Sequence, residues 1–187
     1  IVHLGDHWDM ASLSRHSEGK HELDQQDVDA DIESGNTALL ALHKAMSGTK
    51  YRGIKRYAPR KVLLRGNHEE RILRAANDDP KLDGMLSIKD LAYDEYGWEV
   101  YDFLQVVVVE GVAFSHYFTT GVMGRPAGSA QAQLRKCSMS CFAGHQQGKQ
   151  ITYGTRADGK IITSIISGRC YEHDEGYLGA QGNQHWR

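Results

Sequence analysis

Four short apolar runs in this chain each end at a residue that can bind a metal or move a proton. They read Ile1-Val2-His3-Leu4 into Gly5-Asp6, Val62-Leu63-Leu64-Arg65 into Gly66-Asn67-His68, Val112-Ala113-Phe114-Ser115 into His116, and Cys141-Phe142-Ala143 into Gly144-His145. Short apolar runs bounded by turn residues are the mark of buried strands, and the carboxyl ends of strands are where α/β proteins keep their chemistry. Any one of these junctions alone is an ordinary turn, since Gly, Asp and Asn favour turns through local hydrogen bonding and backbone freedom. A single strand-terminal His likewise reads first as a hydrogen-bonded rim residue. Together they read as a metal site, because carboxylate, carboxamide oxygen and imidazole suit borderline divalent ions. Strand ends would hold those ligands on a rigid frame. Asp6, Asn67, His116 and His145 are the candidate ligands, and His68 and Asp9 lie beside them in sequence.

The remainder of the chain sets these strands in an α/β frame. Residues 11–35 are polar and acidic and read as an exposed loop or marginal helix, with a lid over the Asp6–Asp9 loop as the sharper alternative. The stretch TALLALHKAM places Leu39, Leu42, Ala45 and Met46 at helical spacing. KYRGIKRYAPR carries Lys50, Arg52, Lys55, Arg56 and Arg60 with two tyrosines and no acid. It suits a phosphate backbone or stacked bases, or else a basic helix end favoured by the dipole. EERILRAAN reads as a helix, QVVVVEGVAFSH as a hairpin, and ITYGTRADGKIITSII as a second hairpin turned at Ala157-Asp158-Gly159.

With 187 residues a single domain, 1–187, is the expectation. The balance of 22 Lys and Arg against 24 Asp and Glu gives no global support for binding nucleic acid or an anionic membrane. No apolar run approaches the roughly 18 residues of a membrane span, so no membrane partner is expected. Cys137, Cys141 and Cys170 lack the spacing of a disulfide framework and read as free thiols of a reducing compartment. A zinc site on Cys137 and Cys141 is disfavoured for want of a matching pair. The chain starts in mid-strand without an initiator Met, which reads as a fragment lacking a first strand and a C-terminal end.

On GDHWD and RGNHEE, followed by a strand-terminal His and then Gly-His, the sequence resembles the calcineurin-like metallophosphoesterase superfamily over essentially its whole length. The resemblance implies a layered α/β/β/α fold with mixed sheets and metal ligands at strand C-terminal ends. It implies that Asp6 bridges two metals, that Asn67, His116 and His145 complete the second metal's ligands, and that His68 is a catalytic His oriented by Asp9. The stretches GNHEERILRA, SHYF and CYEHDEGYLGAQGNQHWR look like phosphoesterases encoded by tailed phages, which implies the cytoplasm of a host cell. Two departures bear on the first metal. The family's D-x-H motif would lie upstream of Ile1, and Gln147 stands in GHQQ where many relatives have His. His173 and Asp174 are either substitutes for those ligands or polar residues of the tail. His3 reads as a strand residue, His7 as a substrate phosphate contact, and Arg125 as an exposed loop residue or a further phosphate contact.

The activity implied is hydrolysis of a phosphoester by a metal-activated hydroxide, with a phosphodiester or nucleotide favoured and nucleic acid as a partner on that account. Two divalent ions are expected in an intact protein, Mn first, with Fe, Zn, Co or Mg as alternatives. The rival readings are a phosphoprotein phosphatase and a non-catalytic binding or scaffold protein that keeps the fold.

Overall fold

The first and second apolar runs lie side by side. Strand β1 (Val2–His3) pairs in parallel with β4 (Val62–Leu64), and β5 (Glu99–Tyr101) pairs in parallel on the other side of β4. All three residues of β4 are buried, as a central parallel strand covered on both faces requires. The structure is a computed structural model and describes residues 1–15, 27–48, 50–51, 55–169 and 179–183. Contacts divide the chain into two compact units, Ile1–Phe103 and Leu104–Arg187. Each has its own sheet, and the whole is mixed α/β.

In the first unit the helix expected from residue 37 starts earlier. Helix α1 spans Val28–Gly48, because the Asp27 carboxylate accepts the Asp29 amide at 2.8 Å and caps its start. Val28 and Ile32 then pack on the core. Of the two readings of residues 11–35, the helical one holds from Val28 onward, and residues 16–26 lie outside the described residues. Of the expected apolar positions Leu39 and Met46 are buried, whereas Ala45 is exposed. The core is built around Trp8, Met10, Leu39, Leu63, Ile72 and Trp98. Gly35 permits this helix to approach: a Cβ there would sit 2.0 Å from Cδ1 of the Trp8 indole.

The basic stretch is not a helix end. It forms a two-stranded antiparallel hairpin of β2 (Lys50–Tyr51) and β3 (Lys55–Arg56). Arg60 beyond it is held bidentately by Glu99 at 2.7–3.1 Å, and Tyr57 packs against the core, so two members of the expected phosphate-binding patch are engaged elsewhere. Helix α2 (Glu70–Asp78) follows β4 as expected and buries Ile72.

The second unit is a five-stranded mixed sheet in the order β6-β7-β8-β10-β9. Strands β6 (Val107–Val109) and β7 (Val112–Ser115) form the expected hairpin. Its two-residue turn places Glu110 and Gly111 at φ 49° and 77°, both left-handed as a type I′ turn requires. Strands β9 (Gln150–Thr155) and β10 (Ile161–Ile166) form the second hairpin, with Gly159 at φ 79°. Strand β8 (Cys141–Ala143) lies parallel to both β7 and β10. Helix α3 (Ala130–Cys137), capped by Ser129, lays Leu134 on the sheet. Its buried Gln133 donates to Ser164 Oγ at 3.0 Å and the Ile165 carbonyl at 3.2 Å. A short helix, α4, spans Gly179–Asn183. Among the described residues no helix is long and apolar enough to cross a membrane.

Candidate metal and acid–base centre

Each unit brings two of the predicted ligands to the carboxyl ends of adjacent parallel strands. In the first unit His3 pairs with Leu63, so the Gly5-Asp6 and Gly66-Asn67-His68 loops leave neighbouring strands at the same edge. Gly5 at φ 93° turns the chain, and Asp6 itself sits at φ 54°, left-handed for a residue with a side chain. Holding a residue in such a sparsely populated region costs on the order of 1 kcal/mol and persists only where the surroundings demand it. The Asp6 carboxylate accepts the His68 amide at 3.0 Å. Gly66 is required by the same approach, since a Cβ there would lie 2.1 Å from Asp6 Oδ1 and 2.4 Å from its backbone nitrogen.

The His68 and Asp9 side chains lie within hydrogen-bonding distance. Nδ1 of His68 lies 2.7 Å from Asp9 Oδ1, while Nε2 is 3.9 Å from Asp6 Oδ2. The hydrogen bond from His68 is the largest cause holding the Asp9 carboxyl below its ordinary range, assisted by charge from His68 and Arg71 against partial burial. Arg71 fixes the backbone of this loop by donating to the Asp9 and Met10 carbonyls at 2.8 and 3.2 Å.

The residue that holds the two loops together is Glu69, which was not among the predicted site residues. It is fully buried, and its carboxylate accepts four backbone amides. Oε2 takes Gly66 at 2.7 Å and Asp6 at 3.1 Å; Oε1 takes His7 at 2.6 Å and Trp8 at 3.2 Å. A buried carboxylate is tolerable only with such compensation. Its one sequence signal is a carboxylate directly after Gly-Asn-His, ahead of a helix.

In the second unit the register Ser115 with Ala143 puts His116 and Gly144-His145 at one sheet edge, and the Gly144 amide bonds the His116 carbonyl at 2.9 Å. His116 is 1% exposed, with Nε2 3.3 Å from His145 Nδ1. His145 is another non-glycine residue in the left-handed region, at φ 64°. Two imidazole nitrogens brought this close suit a divalent cation. Tyr117 packs on the His145 ring, with centroids 4.7 Å apart.

The other predicted positions fare differently. Both ring nitrogens of His7 are taken, Nδ1 at 3.2 Å from His3 Nε2 and Nε2 at 3.0 Å from the Gly35 carbonyl. Burial holds its pKa below the ordinary imidazole value. This is a structural role joining β1 to α1, and it replaces the expected phosphate contact. Arg125 is exposed on the loop before α3. His173, Asp174 and Cys170 lie outside the described residues. Compared with protein-family models, curated proteins and solved structures, the chain matches none of them.

Proposed function

We propose that this chain is a metal-dependent phosphoester hydrolase of the calcineurin-like type, with Asp6, Asn67, His116 and His145 as the expected metal ligands. The observation that carries the reading is the His68–Asp9 pair at 2.7 Å, set on a loop whose amide is bonded to the Asp6 carboxylate. An imidazole oriented by a carboxylate and placed beside a ligand rather than used as one is arranged for acid–base work. Two of the four proposed ligands, Asp6 and His145, are held in left-handed backbone. Strain of that kind gathers at functional sites.

When bound, a divalent ion supplies Lewis-acid polarisation of a phosphoryl oxygen and lowers the pKa of water. The chain's own part is proton delivery. Asp9 holds the His68 ring with a proton on Nδ1, which leaves Nε2 to carry the proton given to the departing alkoxide. A phosphodiester or nucleotide is the proposed substrate, Mn the proposed ion, and the family's layered fold and a phage-encoded role in a host cytoplasm belong to the same proposal.

The test uses the Mn-loaded chain and a pair of substrates, a nitrophenyl phosphodiester and an alkyl phosphodiester. His68→Ala should keep Mn affinity by calorimetry yet lose alkyl-ester turnover by about 10² to 10⁴. The nitrophenyl ester, whose leaving group needs less protonation, should suffer less. Loss of Mn binding on replacing His68, or equal losses on both substrates, would remove the assigned role. Mn binding without any hydrolysis would favour the non-catalytic reading.

A further inference from the structure

The charge of the second unit is unevenly distributed in a way the metal centre does not use. Residues 111–157, a run of 47, contain no Asp or Glu but five Arg or Lys. Three of the five have evident structural roles: Arg135 and Lys136 lie in the last turn of α3, where cations oppose the helix dipole, and Arg156 pairs with Asp158 at 3.1 Å. Arg125 and Lys149 remain. Both are exposed, neither has a carboxylate partner among the described residues, and both line one open cleft of about 680 Å³ that reaches His145.

The cleft walls are braced before any ligand arrives. Gln146 Nε2 donates to the Ala127 carbonyl at 2.8 Å, and the Ala127 amide donates to the Phe118 carbonyl at 2.7 Å. Gln150 Oε1 accepts the Ala130 amide at 2.9 Å. The segments carrying Arg125 and Lys149 are thereby tied to one another and to the sheet, so little ordering cost falls on the ligand.

We infer that this cleft is a subsite for a second phosphoryl group, so that the substrate class is a molecule with at least two phosphates, one at the His145 end and the next between Arg125 and Lys149. The inference rests on the phosphoesterase reading for the first of those phosphates. A nucleic-acid strand and a free polyphosphate would share the subsite chemistry.

The test is made on the full chain in EDTA, so it stands apart from hydrolysis and from the metal. Inorganic phosphate, pyrophosphate and a labelled oligothymidylate are the probes, followed by calorimetry and fluorescence anisotropy. Pyrophosphate should bind at least about tenfold more tightly than phosphate, since a charge-assisted contact contributes roughly that factor or more. The double variant Arg125→Ala/Lys149→Ala should weaken pyrophosphate by about tenfold or more with unchanged circular dichroism, and Arg125→Lys/Lys149→Arg should restore most of it. Oligothymidylate displaced by pyrophosphate supports a strand as the source; pyrophosphate binding alone supports a small polyphosphate. Phosphate and pyrophosphate binding alike, or an alanine double variant with undiminished affinity, would overturn the subsite. Hydrolysis failing while these results hold would instead count against the proposed function alone.

Discussion

Replacing Glu69 should cost more stability than replacing any of the proposed ligands, because its carboxylate satisfies four amides on two loops about 60 residues apart in sequence. At about 1 kcal/mol net for each hydrogen bond, Glu69→Ala removes at least about 4 kcal/mol, and more if the amides stay buried without acceptors. That is a large part of the 5–15 kcal/mol typical of a whole domain. Glu69→Gln is the sharper variant. Oε1 and Oε2 each accept two amides, so an amide NH₂ at either position faces two donors and only two bonds survive; about 2 kcal/mol should be lost. Urea unfolding followed by tryptophan fluorescence reads this directly, since Trp8 and Trp98 lie in the core of the first unit. With a slope near 2 kcal/mol/M, Glu69→Ala should lower the midpoint by about 2 M and Glu69→Gln by about 1 M. The same variant should loosen Mn binding by about 10- to 100-fold, the usual effect of disturbing groups that orient ligands. A Glu69→Gln midpoint equal to that of the unaltered chain would show that the carboxylate does not hold the two loops together.

Two further outcomes follow from single positions. Gly66→Ala drives a Cβ into the Asp6 backbone at 2.4 Å, which no side-chain rotation relieves, and should cost about 1–3 kcal/mol with loss of Mn affinity; a variant with unaltered Mn affinity would refute the close approach. The hydrogen bond from Cys137, with Ser164 and Gln133 also contributing, holds the Cys141 thiol below the ordinary thiol range against the opposing effect of burial. In a Cys170→Ala background, thiolate absorbance at 240 nm should appear at lower pH than for an ordinary thiol, and Cys137→Ala should move it upward. An unmoved titration would remove Cys137 as the donor.

The strand ends were legible because a residue with chemistry must follow a local break in the backbone, and Gly5, Gly66 and Gly144 announce those breaks in the residue type itself. The two hairpins were legible for the same reason, through Glu110-Gly111 and the turn at 157–159. Strand β5 was not, since its residues are half-buried or exposed and among the described residues it pairs with β4 alone. Helix α3 was not, because its buried face is Ala130, Gln133 and Leu134 and carries almost no apolar periodicity. The basic hairpin in place of a helix end is a tertiary outcome. Its charge pattern fits both, and the pattern does not show that Arg60 meets Glu99 from 39 residues away.

The contrast is sharpest within GNHEE. Asn67 and His68 carry side chains whose chemistry can be read without knowing their neighbours. Glu69 takes its role from amide groups at positions 6, 7 and 8, about 60 residues upstream, and an amide has no side-chain signature. The acceptor is visible in the sequence, but its donors become specific to it only when β1 and β4 lie side by side. The position most responsible for geometry is thus the one for which sequence reasoning is weakest. The same holds for His7: its type suggests a phosphate contact, whereas the carbonyl of Gly35, exposed by the close approach of α1 to Trp8, commits its ring to the fold.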